Sequence, residues 1–446
     1  MEASNIPTVT LCTDAFEMLG RVTAQAKGFS SLPIVIVLHP IKPLSVAQVR
    51  EVVDKVIDEI IYSLTSPTQE VDAKQRMRAQ EVLTKRAIAA REKRRAIKLK
   101  NSVEVINNYF LEQGWSDGLP VIPPTEENVR AMLEYVDQEP QDVVACLAPR
   151  GAEATVEKIA INAVMAGCLP EYMPVIITAV KAMAEPAFNL SDVQTATNPV
   201  SPLLIVNGPI VKEIGLNYGL NVFGSGCRAN ATIGRAIRLI LLNIGGGIPG
   251  ITALATQGQP GKYSFCIAEN EEGNPWETLH IERGFNRDVS TVTVVPVSGT
   301  VNINENSPST DELLSTIVGS MTILGCNEYT YGQGEPLLVL SPEHAALLAR
   351  AGFSKNKLQK FIYENTKIEL RRLSSVHLSF LKRNRAEEFP QLSDATLVPL
   401  TKRPEDIMIV VAGGPGTHST YLFGFGLAYS VTKAITTRDG TPIKTV

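Results

Sequence analysis

Disulfide and zinc frameworks are missing from this sequence: its six cysteines, Cys12, Cys146, Cys168, Cys227, Cys266 and Cys326, are scattered, and no C-x-x-C pair occurs. That usage belongs to a reducing compartment and excludes a disulfide-stapled secreted scaffold. Histidine is scarce, with five in 446 residues and no H-E-x-x-H or comparable spacing. A metal site built from His280, Glu282, Glu269 and His418 would therefore need long-range assembly, and no metal ligand is assigned. No run reaches about 18 uninterrupted apolar residues, and neither a secretory leader nor an Arg-rich transit segment opens the chain. A net charge of -4 gives no overall attraction to nucleic acid or an anionic membrane, so neither is expected as a partner. The glycine runs GGPGTHS and GSGCRA lack the Rossmann spacing and its later acidic residue, and no cofactor is assigned. A cytoplasmic protein is expected.

The sequence does hold 44% hydrophobic residues, enough for large cores in two or three domains. One stretch, Val222 to Gly247 (VFGSGCRANATIGRAIRLILLNIGGG), organises the rest. Ile233, Ile237, Ile240, Leu241 and Ile244 recur at helical spacing and predict a buried helix with a glycine turn at each end. A helix N-terminus leaves N–H groups unpaired and carries partial positive charge, and the Gly224-Ser225-Gly226 entry lets an anion approach the backbone. Cys227 stands where nucleophilic thiol chemistry is favoured. Arg228 and Asn230 join the three entry residues as substrate-binding candidates, and Arg235 falls two turns beyond Arg228 on nearly the same face. The competing reading is a core helix with glycines for tight turns, its arginines serving as surface or carboxylate-pairing groups.

Earlier in the chain, PTVTLCT (7–13) and PIVIVLH (33–39) read as buried strands. A helix at 15–27 lies between them and a second, capped by Ser45, follows through Ser63. The fold class is thus α/β, opening with a partial parallel-sheet half-domain at 1–65. Residues 66–105, rich in Lys, Arg, Ala and Glu, read as a charged helical linker. Residues 106–446 form a larger α/β domain, the expected active-site domain, with a weak internal repeat. Val156–Cys168 ends in Gly-Cys before Glu171-Tyr172 and the strand PLLIVN, and Leu313–Cys326 ends in Gly-Cys before Glu328-Tyr329 and PLLVLS. A third strand, DIMIVV at 406–411, suggests three related modules whose strand ends converge on one crevice.

The run IPTVTLCTDAFEMLGRVTAQAKGFSSLPIVIVLHPIKPLSVAQVREVVDKVIDEIIYSLT resembles the latter half of the UGSC-type domain. The blocks DGLPVIPPT, PRGAEATVEKIAINAVMAGCLPEYMPVI, NGPIVKEIGLNYGLNVFGSGCRANATIGRAIRLILLNIGG and QGQPGKYSFCIAENEEGNPWETLHIERGF resemble the C-terminal part of longer proteins of that type. The resemblance implies a family, often selenocysteine-containing, reminiscent of reductase subunits acting on glycine and proline. Its selenocysteine (or Cys)-Gly-Ser-Cys motif lies upstream of the strand matching PTVTLCT. This sequence has no such motif, so the expectation is that another polypeptide supplies it, that the chain is truncated, or that activity lies in the downstream domain.

Four loops carry candidate chemistry. In PRGAEAT, Arg150 is an anion clamp and Glu153 a substrate-binding or first-turn charge. The second is the Gly224–Arg228 entrance. In the third, Cys266 is an alternative nucleophile, and LHIE, read as a strand, places His280 and Glu282 on one face as a general base with its orienting carboxylate. The fourth, 413–419, presents His418 at a strand end. His344 and His377 read as ordinary helical residues. Two functions are expected from these loops. One is a thiol-assisted enzyme, an oxidoreductase or lyase acting on a small anionic substrate; the other is a noncatalytic ligand-binding or scaffold subunit partnering a separate redox polypeptide. Homo-oligomerisation would cover the amino-terminal sheet.

Overall fold

A computed structural model describes residues 7–41, 44–65, 96–389 and 391–443, so most of the charged stretch read as a linker, 66–95, lies outside the described residues. In the amino-terminal unit, β1 (Thr10–Thr13) pairs in parallel with β2 (Ile34–Val37), Thr10 opposite Ile34. The α1 (Glu17–Ala26) and α2 (Val46–Thr65) helices follow the two strands. The expected strand–helix–strand–helix order is present, with mixed helix and strand throughout the chain.

Next come α3 (Val103–Glu112) and α4 (Glu126–Glu134). Thr125 caps α4 by accepting the Asn128 N–H. A short antiparallel pair, β3 (Val143–Leu147) and β4 (Ala152–Thr155), leads into α5 (Val156–Ala166), which ends at Gly167 in the left-handed region. The chain continues through α6 (Met173–Met183), α7 (Leu190–Thr195), β5 (Ser201–Asn207), α8 (Ile210–Glu213), α9 (Arg228–Asn243), β6 (Cys266–Ala268), α10 (Leu279–Glu282) and the long β7 (Thr291–Asn304). Then follow α11 (Thr310–Met321), α12 (Glu328–Tyr331), β8 (Leu337–Leu340), α13 (Pro342–Arg350), α14 (Lys355–Asn365), β9 (Lys367–Glu369), α15 (Ser375–Asn384), β10 (Leu397–Pro399), β11 (Met408–Val411), β12 (His418–Gly424) and β13 (Val431–Ala434).

The strand pairing explains the repeat. β5 runs parallel to β6 and antiparallel to β7, while β8 runs parallel to β11 and antiparallel to β12. β7 and β12 join the halves as an antiparallel pair, so the order β11-β8-β12-β7-β5-β6 reads as two like sets back to back. There are two modules, not three: DIMIVV is the second half's parallel partner strand, equivalent to β6.

Strand alternation sends successive side chains to opposite faces. Leu203, Ile205, Ile267, Val295, Val297, Leu337, Val339, Val410 and Leu422 form one core inside the curl of the sheet. The other face of β5 and β6 packs on α5, α6 and α9, and that of β8 and β11 on α11, α13 and α14. The ends of the sheet approach closely enough for Asn270, just past β6, to donate its N–H to the Val411 carbonyl at 2.7 Å. Within α9, Gly234 permits the approach of the 264–265 backbone: a Cβ there would lie 2.5 Å from Phe265 N.

Candidate functional site

A crevice follows from this topology. β8 and β11 are parallel neighbours, so their carboxyl ends open side by side, the place where open α/β sheets bind ligands. The crevice there, about 750 Å³, is lined by the first turn of α13, by the 413–417 loop after β11, and by Asn270, Asn306, Leu220 and Arg350. Ser341 caps α13 by accepting the His344 N–H, and Pro342 fills the first helical position. Arg350 has no ion-pair or hydrogen-bond partner among the described residues, and Leu220 exposes an apolar side chain (69%) at the rim. His418, the candidate expected in the 413–419 loop, is not part of this lining. That residue is exposed and bonds Asn302 Oδ1 at 3.1 Å, while its neighbour Ser419 points to the other face of β12 and meets His344.

At the α9 entrance, helix and glycine turns are as expected, but the side chains are engaged. Cys227 is the N-cap, half-buried, its Sγ 3.2 Å from the Gly215 carbonyl. Arg228 donates Nε and Nη2 to the Gly167 carbonyl at 3.1 and 3.0 Å, a cation at the negative end of α5. Arg235 pairs bidentately with Asp117, both bonds 2.8 Å. Gly224, Ser225 and Gly226 are exposed. Asn230 is not available to a substrate: it is buried, its Oδ1 accepts the Asn217 N–H, and its Nδ2 donates to the Asn217 and Cys266 carbonyls.

Cys266 is buried in the outer face of β6, and loss of solvent pushes its thiol well above the ordinary range. A nucleophile needs the opposite environment. Residues 279–282 are a short helix with Thr278 at the N-cap position, rather than a strand. Residues two apart on a helix face different ways, so Glu282 does not hold His280. Glu282 pairs with Lys355 at 2.9 Å. His280 Nδ1 lies 3.0 Å from Thr278 Oγ1 and 3.8 Å from Glu271 Oε1, and burial lowers the ring's pKa. Around it Asn207 donates to Glu269 (2.6 Å) and Glu271 (3.1 Å), and Glu269 also accepts the Leu279 N–H. Burial raises the Glu269 carboxyl. Cys227 and His280 thus have separate sets of partners.

Arg150 and Lys158 border a smaller hollow of about 280 Å³ with Asn162 and Asn243. Arg150 donates to the Asn243 carbonyl at 3.3 Å and Lys158 to the Glu153 carbonyl at 2.7 Å. The Glu153 side chain is exposed on β4. Among the described residues no three His, Cys, Asp or Glu side chains come together as metal ligands, and no helix is long and apolar enough to cross a membrane.

Residues 1–66 match the UGSC family model, so the likeness is shown for the amino-terminal unit. The downstream blocks lie outside that match. No curated protein and no solved structure matches the chain.

Proposed function

We propose that this chain takes up a small organic anion in the crevice between α13 and the 413–417 loop. The observation that supports it is the opening of that crevice where β8 and β11 end together, with a capped helix start on one side and Arg350, unpaired among the described residues, on its wall. Its volume suits a metabolite-sized molecule. The N–H of Glu343 in the first turn has no intrahelical acceptor, and Arg350 offers a planar donor fork to a carboxylate or phosphate. Calorimetric titration of the full chain with small mono- and dicarboxylates and inorganic phosphate tests the reading. Arg350→Ala should weaken the best ligand roughly 10- to 100-fold, the worth of a charge-assisted hydrogen bond. No saturable binding by any of these anions, or equal binding by the variant, would remove the proposal.

Thiol-assisted chemistry, as an oxidoreductase or lyase, is the second reading, and it rests on Cys227 alone. The residue favouring it sits at the N-terminus of a 16-residue helix and keeps part of its surface open. A reducing, cytoplasmic setting belongs to both readings and is supported by six free thiols. The two-stranded parallel sheet of the amino-terminal unit supports a covering partner, a second copy or a separate redox polypeptide, because so small a sheet leaves its edges open. The mass of the chain in solution tests the second copy.

A further inference from the structure

The polar side chains that line the crevice are turned to the chain itself. His344 Nδ1 lies 2.7 Å from Ser419 Oγ and its Nε2 2.9 Å from the Glu305 carbonyl oxygen, so neither ring nitrogen is offered to a ligand. Asn270 donates Nδ2 to the Gly413 carbonyl at 3.3 Å and accepts the Gly273 N–H at 2.8 Å. Asn306 accepts from Thr417 Oγ1 and donates to Asn304 Oδ1 at 3.3 Å, and Ser307 Oγ accepts the Ser309 N–H at 3.1 Å. What remains toward the crevice is apolar surface and two charges. Leu220, Pro308, Pro342, Ala346, Leu347 and Pro415 supply the apolar part. Gly414 makes the space that Leu220 fills, since an added Cβ would overlap its side chain. So exposed a leucine on a crevice rim loses its contact with water only when something apolar settles against it.

The two charges are Arg350 and Glu343, both exposed, both in the lining and neither in an ion pair among the described residues. They stand on nearly one face of α13, two turns and about 10 Å apart along its axis, with Ala346 and Leu347 between them. A carboxylate on Arg350 is therefore matched once. A second negative charge further along the same wall approaches the Glu343 carboxylate, and like charges brought together set a ligand at a disadvantage. We infer that the crevice selects a monocarboxylate with an apolar body, its head on Arg350 and its hydrocarbon against Leu347 and Leu220, and that Glu343 turns dicarboxylates away.

The inference rests on the anion reading of the crevice and names the class of anion. Calorimetric titration of the full chain compares acetate, hexanoate and adipate, the last having hexanoate's length and a second carboxylate. A methylene that leaves water tightens binding about fourfold, so hexanoate, with its longer chain partly buried, should bind roughly 10-fold or more tightly than acetate. Adipate should bind roughly 10-fold or more weakly than hexanoate, because its far end is both charged and directed at Glu343. Leu220→Ser, a change at an exposed position, should remove much of hexanoate's advantage and leave acetate unaltered. Glu343→Gln should strengthen adipate and leave hexanoate unaltered. Hexanoate no tighter than acetate, adipate as tight as hexanoate, or an advantage untouched by Leu220→Ser overturns the inference and leaves the anion reading standing. Saturable binding by none of the three, nor by inorganic phosphate, removes both.

Discussion

Glu328 offers a direct test of how this fold treats a charge. Its side chain is 1% exposed, Oε1 accepts the Gly424 N–H, and Oε2 has no hydrogen-bond partner. Removal from water disfavours the carboxylate, and its pKa stands at about 7 against an ordinary 4.5. Below 4.5 the group is protonated in both folded and unfolded chains and contributes no penalty. Between 4.5 and 7 the unfolded chain releases its proton while the folded one retains it, so stability falls as pH rises. Above 7 the full difference applies, about 3 kcal/mol for that separation of pKa values. Glu328→Gln keeps the acceptor for Gly424 and removes the ionisation. The variant should match the wild type near pH 4.5 and exceed it by about 2–3 kcal/mol at pH 8. Urea unfolding followed by the fluorescence of Trp276, which packs against the same core, measures both. A wild-type-minus-variant difference that does not change between the two pH values would refute the burial argument.

Two further outcomes follow from close packing. Glycine to alanine inside a helix ordinarily stabilises by about 0.5–1 kcal/mol. At Gly234 the added Cβ would sit 2.5 Å from Phe265 N, so Gly234→Ala should instead lower the urea midpoint, by about 1–3 kcal/mol in stability; a gain would show that the 264–265 segment yields. Iodoacetamide on the native chain should modify Cys146 and Cys227 and spare Cys168, Cys266 and Cys326, whose burial pushes their thiols up, Cys168 to about 12. The rates, read by mass spectrometry, also decide the thiol-assisted reading, since a Cys227 slower than exposed Cys146 would end it.

What the sequence made legible was local. The β-branched runs, the apolar spacing of α9, the Thr125 cap and the two Gly-Cys turns each state their structure within a few residues, because period and capping act over that range. LHIE was misread because four residues satisfy either period, and the deciding sign was the threonine before it, which takes the cap position. The contact of His344 with Ser419 was hidden for a different reason. Ser-Pro-Glu-His is an ordinary helix start, and nothing near it announces a serine 75 residues later. Even on β12, alternation says only that His418 and Ser419 face opposite ways; which one faces inward is set by pairing with β7 and β8.

The two halves of the sheet differ in what lies at the ends of their parallel strands. After β5 the chain turns through Gly208 into Pro209, as after β8 it turns through Ser341 into Pro342. In the first half a Cβ on Gly208 would lie 2.7 Å from Ser290 Cα and the Val289 carbonyl oxygen, with φ at +87°, so only glycine fits. The Gly208 N–H is taken by Glu271 at 2.7 Å, and Asn207 is held between Glu269 and Glu271. The chain's own carboxylates thus occupy the Gly208 N–H and the Asn207 amide in the first half, whereas in the second the matching Ser341 N–H is taken by Ser419 Oγ. The same strand order therefore yields a closed polar core on one side and a space bordered by Arg350, His344 and a glycine loop on the other. The first arrangement fills the end of its strands with the chain's own side chains, and the second borders a crevice.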